Sequence, residues 1–277
     1  MTLVEPVERR YLAGVIFDDA TTGAPVRAAL RVTSPSARFF RVPSGVYVVR
    51  SAAGLEAHVD SFEHPPAAPA LGSIAIQVSV SDADRQYYPR VFTLALPRDP
   101  DPTNADAIVQ PVRVPMYRSP AAPVGANWAL IDANVVDASG APVRNALVRA
   151  VRELDGRLLG VGLLMASPPA TSASAPASAP ASAPSVPAGS FPGSPRMVGQ
   201  LTIPIAGIPS VAWSDTIEGS VLVSNVSVRL EIVVISASLD VFDPDEFITA
   251  EGVSVGPFSV ASGRRENVGV LEVGLPS

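Results

Sequence analysis

Short apolar runs with a two-residue period dominate the chain. In residues 73–81, Ile74, Ile76, Val78 and Val80 point one way, and Ser73, Ala75, Gln77, Ser79 and Ser81 the other. That alternation predicts a strand with one buried and one wet face. GVYVVRS (45–51) and RVFTLALP (90–97) are rich in the same strand-forming residues. VSVRLEIVVISASL (226–239) repeats the pattern less cleanly, with Arg229 and Glu231 sharing a face. No window of helical length carries an i, i+3, i+4, i+7 stripe. Many short strands parted by turn residues predict an all-β chain built as β-sandwiches.

An internal repeat divides the chain. Gly-Ala-Pro-Val-Arg-x-Ala-Leu occurs at Gly23–Leu30 and again at Gly140–Leu147. A strand-like run precedes each copy (Tyr11–Phe17; Asn127–Val136), and a second run follows (Val26–Val32; Val143–Val151). Asp19 and Asp137 open the two turns, where a carboxylate can bond its own backbone and glycine supplies a positive-φ corner. Two copies a domain length apart predict one fold used twice. The expected division is a first sandwich over 1–118, a stiff connector over 119–126 (SPAAPVGA) and a second sandwich over 127–277. Residues 166–195 are Ala/Ser/Pro low complexity, which cannot bury enough surface to offset the entropy of ordering. They are expected to be disordered or loosely polyproline-like, at the tip of a hairpin between LLGVGLLM and GQLTIPIAGI.

Composition removes several chemistries. The 277 residues hold no cysteine, and all 20 basic residues are arginine. Disulfides, thiolate nucleophiles and Cys-bound zinc are therefore excluded, as are Schiff-base and P-loop lysines. A net charge of -6 argues against a nucleic-acid partner. The opening MTLVEPVERR has no apolar signal core, and no continuous apolar span suits a membrane helix, so a cytoplasmic protein without membrane insertion is expected.

The repeat resembles the opening of carboxypeptidase regulatory-like domains, a transthyretin-like group of β-sandwiches. Their strand–turn–strand start is matched by Asp19, Gly23, Pro25, Val26, Ala29 and Val32, and again by Asp137, Gly140, Pro142, Val143, Ala146 and Val148. SGVYVV (44–49) is similar to a G-x-Y-x-V strand of the same family, and the second copy departs from it there. The resemblance implies two tandem transthyretin-like/Ig-like sandwiches and is nearly silent on function. RQYYPRVFTLALPRD (85–99) looks like segments of two-domain proteins of phage-tail-like contractile particle loci.

Candidate chemistry is sparse. His58 and Asp60 would share a strand face, with His64 following, so a His-Asp-His metal site is conceivable; the loop HPPAAPAL favours surface histidines instead. The His-x-x-Glu pair of metallocarboxypeptidases is missing, because Ser61 follows His58 and Ala67 follows His64 at that spacing. Asp99, Asp101, Asn104 and Asp106 form an oxygen-rich loop of the kind that can hold Ca²⁺, as do Asp240, Asp243, Asp245 and Glu246. Prolines break EF-hand spacing in the first, and a solvated turn is the favoured reading of both. Tyr117-Arg118-Ser119 echoes the Tyr-Arg-Gly-Ser ending of hydroxyisourate hydrolases but lacks its glycine; Tyr117 is read as a strand end and Arg118 as a solvated linker residue. Trp128 and Trp213 are read as core residues rather than carbohydrate anchors. No nucleophile elbow or dinucleotide loop is present. The expectation is a non-catalytic structural or protein-interaction protein with a protein partner and no cofactor, in a phage-tail-like or other assembly. A carbohydrate- or Ca²⁺-binding accessory module is the alternative.

Overall fold

The computed structural model describes residues 11–56, 73–98, 110–165, 199–208, 210–212, 221–223, 225–235 and 242–274. The chain is all-β. Its sixteen described strands are β1 (Ala13–Asp19), β2 (Leu30–Thr33), β3 (Ala37–Arg41), β4 (Tyr47–Ala52), β5 (Ile74–Asp82), β6 (Arg90–Leu96), β7 (Val112–Met116), β8 (Ala129–Asp137), β9 (Ala146–Arg152), β10 (Leu158–Leu164), β11 (Gln200–Ile205), β12 (Ser210–Ala212), β13 (Val221–Val223), β14 (Asn225–Val234), β15 (Val253–Ala261) and β16 (Arg265–Val273). One 3-10 turn, Pro244–Glu246, joins them. No helix among the described residues is long and apolar enough to cross a membrane.

The sheets fall into two pairs. In the first, β3-β4-β1-β7 lies opposite β2-β5-β6, and both contribute to one apolar cluster that includes Val15, Phe17, Val49, Val78, Phe92, Leu94 and Met116. In the second, β11-β8-β16 lies opposite β10-β9-β14-β15 around Ile131, Val135, Val148, Ile203, Leu230 and Val273. The alternation in residues 73–81 is realised: Ile76, Val78 and Val80 are buried and Gln77, Ser79 and Ser81 exposed. Each fully buried aliphatic side chain of this kind contributes about 1.5–3 kcal/mol. Ile74, at the strand's start, is 37% exposed.

The repeat occupies corresponding places. β1 is flanked by an antiparallel β4 and a parallel β7; β8 is flanked by an antiparallel β11 and a parallel β16. Gly23 and Gly140 close the turns after β1 and β8 with φ of 69° and 81°. Bridges Asp18↔Pro25 and Val136↔Pro142 pin the far sides of those turns. Tyr47, singled out in SGVYVV, is buried between the first pair of sheets, its hydroxyl donating to the Leu30 carbonyl at 3.0 Å.

The third strand breaks the correspondence. β3 pairs with β4, whereas β10 leaves β11 and pairs with β9. Residues 166–195 lie outside the described residues. The strands on either side of them, β10 and β11, belong to different sheets and do not pair, so they are not the two arms of one hairpin. Glycine permits that arrangement, because β10 approaches β11 closely. A Cβ on Gly160 would lie 2.6 Å from the Pro204 carbonyl oxygen, and one on Gly162 would lie 2.6 Å from a Leu201 methyl. Gly160→Ala is expected to cost about 1–3 kcal/mol, because backbone must shift. Gly162→Ala should cost less, because its two tight contacts, at 2.6 and 2.8 Å, are with the Leu201 and Ile203 side chains rather than with backbone. Urea unfolding midpoints of the two variants check this ordering.

Candidate functional site

His58, Asp60, His64, Asp99, Asp101 and Asp106 lie outside the described residues, as do Asn104, Asp240 and Trp213. Among the described residues no group of three or more His, Asp or Glu is placed to hold a metal. The polar chemistry that is described gathers where the two pairs of sheets meet.

The segment 242–250, between β14 and β15, forms a strap there. Phe242, Phe247 and Ile248 pack with Tyr88 and Tyr117 from the first half of the chain, and with Leu147, Val161, Leu163 and Ile235 from the second. Phe242 and Phe247 meet edge to face at 5.9 Å. Asp243 caps the 3-10 turn by accepting the Asp245 N–H at 3.1 Å, and Pro244 fixes the first turn position.

Two arginines grip this strap. Arg90 stands on β6, on the same face as buried Phe92, Leu94 and Leu96, and is only 2% exposed. Its guanidinium donates to Asp243, to Asp245 Oδ2 at 2.9 Å and to the Pro115 carbonyl at 2.5 Å. Tyr117 completes the cluster, its hydroxyl donating to Asp245 Oδ1 at 2.6 Å. From the other side Arg149 on β9 donates to the Ile248 and Ala250 carbonyls, the latter at 2.7 Å, and pairs with its cross-strand neighbour Glu231 at 3.0 Å. Burial pushes the Asp243 carboxyl up from its ordinary pKa, against the pull of Arg90. Burial and the Asp245 carboxylate together push the Tyr117 phenol well above its ordinary value. Asp243 and Asp245 are therefore not a solvated turn: they neutralise an arginine from the opposite half of the chain.

A second cluster lies beside the first. Asp19, 3% exposed, accepts the Thr21 and Thr22 N–H groups on Oδ1, and on Oδ2 the Tyr87 hydroxyl at 2.9 Å and Arg118 at 2.5 Å. Arg118 also donates to the Pro123 carbonyl at 2.6 Å and stacks on the Trp128 ring at 4.6 Å. Arg118 is thus a largely covered tie and not a solvated linker residue, and Tyr117 is an interface residue beyond its strand. Trp128 is half-buried over Gly125, where a Cβ would lie 2.6 Å from the indole nitrogen, so it packs on the connector and stands outside both large cores.

No protein-family model matches the chain. No curated protein matches it either. Among solved structures, a leucine-rich repeat protein from Bacteroides thetaiotaomicron is similar over 95% of this chain at 10% identity, with a TM-score of 0.19. The chain spans 26% of that protein, and a likeness this low carries no argument about fold or function.

The sequence signal for these clusters lies in the strand period. RVFTLAL puts Arg90 on the face of Phe92, Leu94 and Leu96, and an inward-facing arginine demands a buried carboxylate. Its partners stand more than 150 residues away, and no local spacing names them.

Tyr87 provides a spectroscopic handle. Burial first, then the Asp19 carboxylate, push its phenol up to about 12. The folded pKa is raised, so the stability it carries is complete below the unfolded value of 10 and is lost as pH rises toward 12. The expected loss across that window is roughly 2 kcal/mol. Phenolate absorbance and urea unfolding recorded from pH 9 to about 12 check it.

Proposed function

We propose that this chain is a non-catalytic structural and protein-interaction protein, made of two tandem transthyretin-like sandwiches held at a fixed angle by the strap. One observation carries the reading. The ionic groups near the meeting of the two halves are engaged by the chain itself: Arg90 of the first half by Asp243 and Asp245 of the second, Arg118 by Asp19 within the first, and Arg149 by Glu231 and the strap's carbonyls within the second. Catalysis asks for polar groups aimed at a substrate; these are aimed at one another. A rigid pair of sandwiches suits a spacer whose outer edges and loops meet protein partners. The sheet orders, equivalent but for the third strand, support the tandem reading. The resemblance of residues 85–99 to proteins of phage-tail-like particle loci makes a cytoplasmic contractile-particle accessory the specific form of the proposal.

The test is to tag the chain in its native host and isolate the contractile particles by gradient sedimentation. Co-sedimentation at a fixed ratio to the sheath protein supports the proposal. A chain that sediments alone, or a purified chain that turns over ester, peptide or glycoside substrates, overturns it.

A further inference from the structure

The outer face of β11-β8-β16 differs from its counterpart in the first half, although both are built around a central strand paired parallel to the last strand. β1 and β7 keep unbroken register from Val15↔Val112 to Asp19↔Met116. β8 and β16 do not: Asn267 faces Asp132 and Val270 faces Asn134, so β16 carries one extra residue. Bulges in parallel pairs are rare, and bulges concentrate where a side chain is re-aimed beside a site. This one is purposely shaped, with Gly269 at φ 77° and its N–H held by Asn267 Oδ1 at 3.0 Å.

The face beneath the bulge is a groove of about 310 Å³. Asp132 and Asn134 on β8, Gln200 and Thr202 on β11, and Asn267 and Val270 on β16 line it. Matching the bridges Asp18↔Pro25 and Val136↔Pro142 places Gly14 and Ile16 of the first half at the positions of Asp132 and Asn134. There the face is apolar and covered: a Cβ on Gly14 would meet Pro111 and Val46 at 3.4 Å. In the second half the equivalent positions hold an acid and an amide on an open surface.

We propose that this groove binds a neutral hexopyranose. Asp132 is charge-compensated by Arg265 at 2.9 Å and receives the Thr202 hydroxyl, so the site offers no free charge. The Asn134 and Gln200 amides stand as cross-strand neighbours, and neither makes a side-chain hydrogen bond within the described protein. Each amide is donor and acceptor at once, as is each sugar hydroxyl, so two adjacent amides and a carboxylate fit a run of vicinal hydroxyls. Val270, 65% exposed at the rim, gives the C–H face of the ring an apolar contact. The volume is at the lower end for small-molecule sites, which suits a single sugar. No aromatic ring lines the groove among the described residues, so binding is expected in the millimolar range, about 1–10 mM. The site is independent of the strap and of the scaffold role proposed above.

The test is a titration of the isotope-labelled full chain with glucose, galactose, mannose and N-acetylglucosamine, each to about 50 mM, followed by amide NMR. Saturable shifts of the Asn134 and Gln200 side-chain NH₂ signals with at least one sugar are expected. Asn134→Ala with Gln200→Ala should abolish them and leave the melting temperature unchanged, because both side chains are half-exposed. Absence of a saturable shift with all four sugars overturns the proposal, and so does a shift that survives in the double variant.

Discussion

Arg90→Ala is expected to lower the free energy of unfolding by about 3 kcal/mol. The side chain is 2% exposed, and its removal strands the Asp243 carboxylate, 17% exposed, at the interface. The figure sits at the low end for a broken buried pair because Asp245 is 38% exposed and recovers water. The Pro115 carbonyl also loses its donor. Arg90→Lys should recover little: one ammonium cannot present a planar fork to two carboxylates and a carbonyl. The sign of the pH dependence is fixed by Asp243, which burial already pushes up against the pull of Arg90. Without the guanidinium that push is unopposed and the carboxyl takes up a proton more readily. A raised folded pKa confers stability at low pH that is lost as pH rises through it. The deficit of Arg90→Ala relative to wild type is therefore largest near neutrality and shrinks toward the acid side. Denaturant unfolding at several pH values measures this, and faster hydrogen exchange at 242–250 would locate it on the strap. A deficit that grows on acidification, or a loss below about 1 kcal/mol, would contradict the role assigned to Arg90.

What could be read in the sequence was local, and what was hidden was distant. Alternation over 73–81 reports a sheet with one wet face because side-chain direction is set within the strand itself. The GAPVRxAL repeat reports two equivalent turns because turn chemistry is also local. The path of β10 was not readable in this way. LLGVGLL and QLTIPI look like hairpin partners, but strand pairing depends on which edge is free, and β9 offered one. The glycines at 160 and 162 were the available hint, since glycine within a strand marks close approach of another backbone. The acidic run ending at Glu246 was legible as a turn, and its turn geometry is real. Its destination was not, because Arg90 lies in another sheet.

Asp19→Ala and Asp137→Ala form an internal control, because the two residues open the same turn in the two copies of the repeat. Each carboxylate closes its own turn: Asp19 accepts from Thr21 and Thr22, and Asp137 accepts from the Ser139 N–H at 2.8 Å, the Ser139 hydroxyl at 2.6 Å and the Ala141 N–H at 2.9 Å. Asp137 stops there, at the surface. Asp19 goes on to hold the Tyr87 hydroxyl and Arg118, whose side chain is 14% exposed. Asp19→Ala is therefore expected to cost about 3 kcal/mol, the loss that follows when a largely buried cation is left without its carboxylate. Asp137→Ala loses only turn bonds that water replaces, and its unfolding midpoint should move clearly less. Asp19→Asn should fall between them, since its one amide oxygen keeps the turn bonds, while an NH₂ donor replaces the oxygen that accepts from Tyr87 and pairs with Arg118. A second readout separates the specific role from general damage. The Asp19 carboxylate helps hold the Tyr87 phenol at about 12, so in Asp19→Ala that phenol should ionise nearer 10, the ordinary value, while Asp137→Ala leaves it unmoved. Equal losses from the two alanine variants, or an unchanged Tyr87 titration in Asp19→Ala, would mean that the first copy of the turn had not been recruited into the joint between the halves.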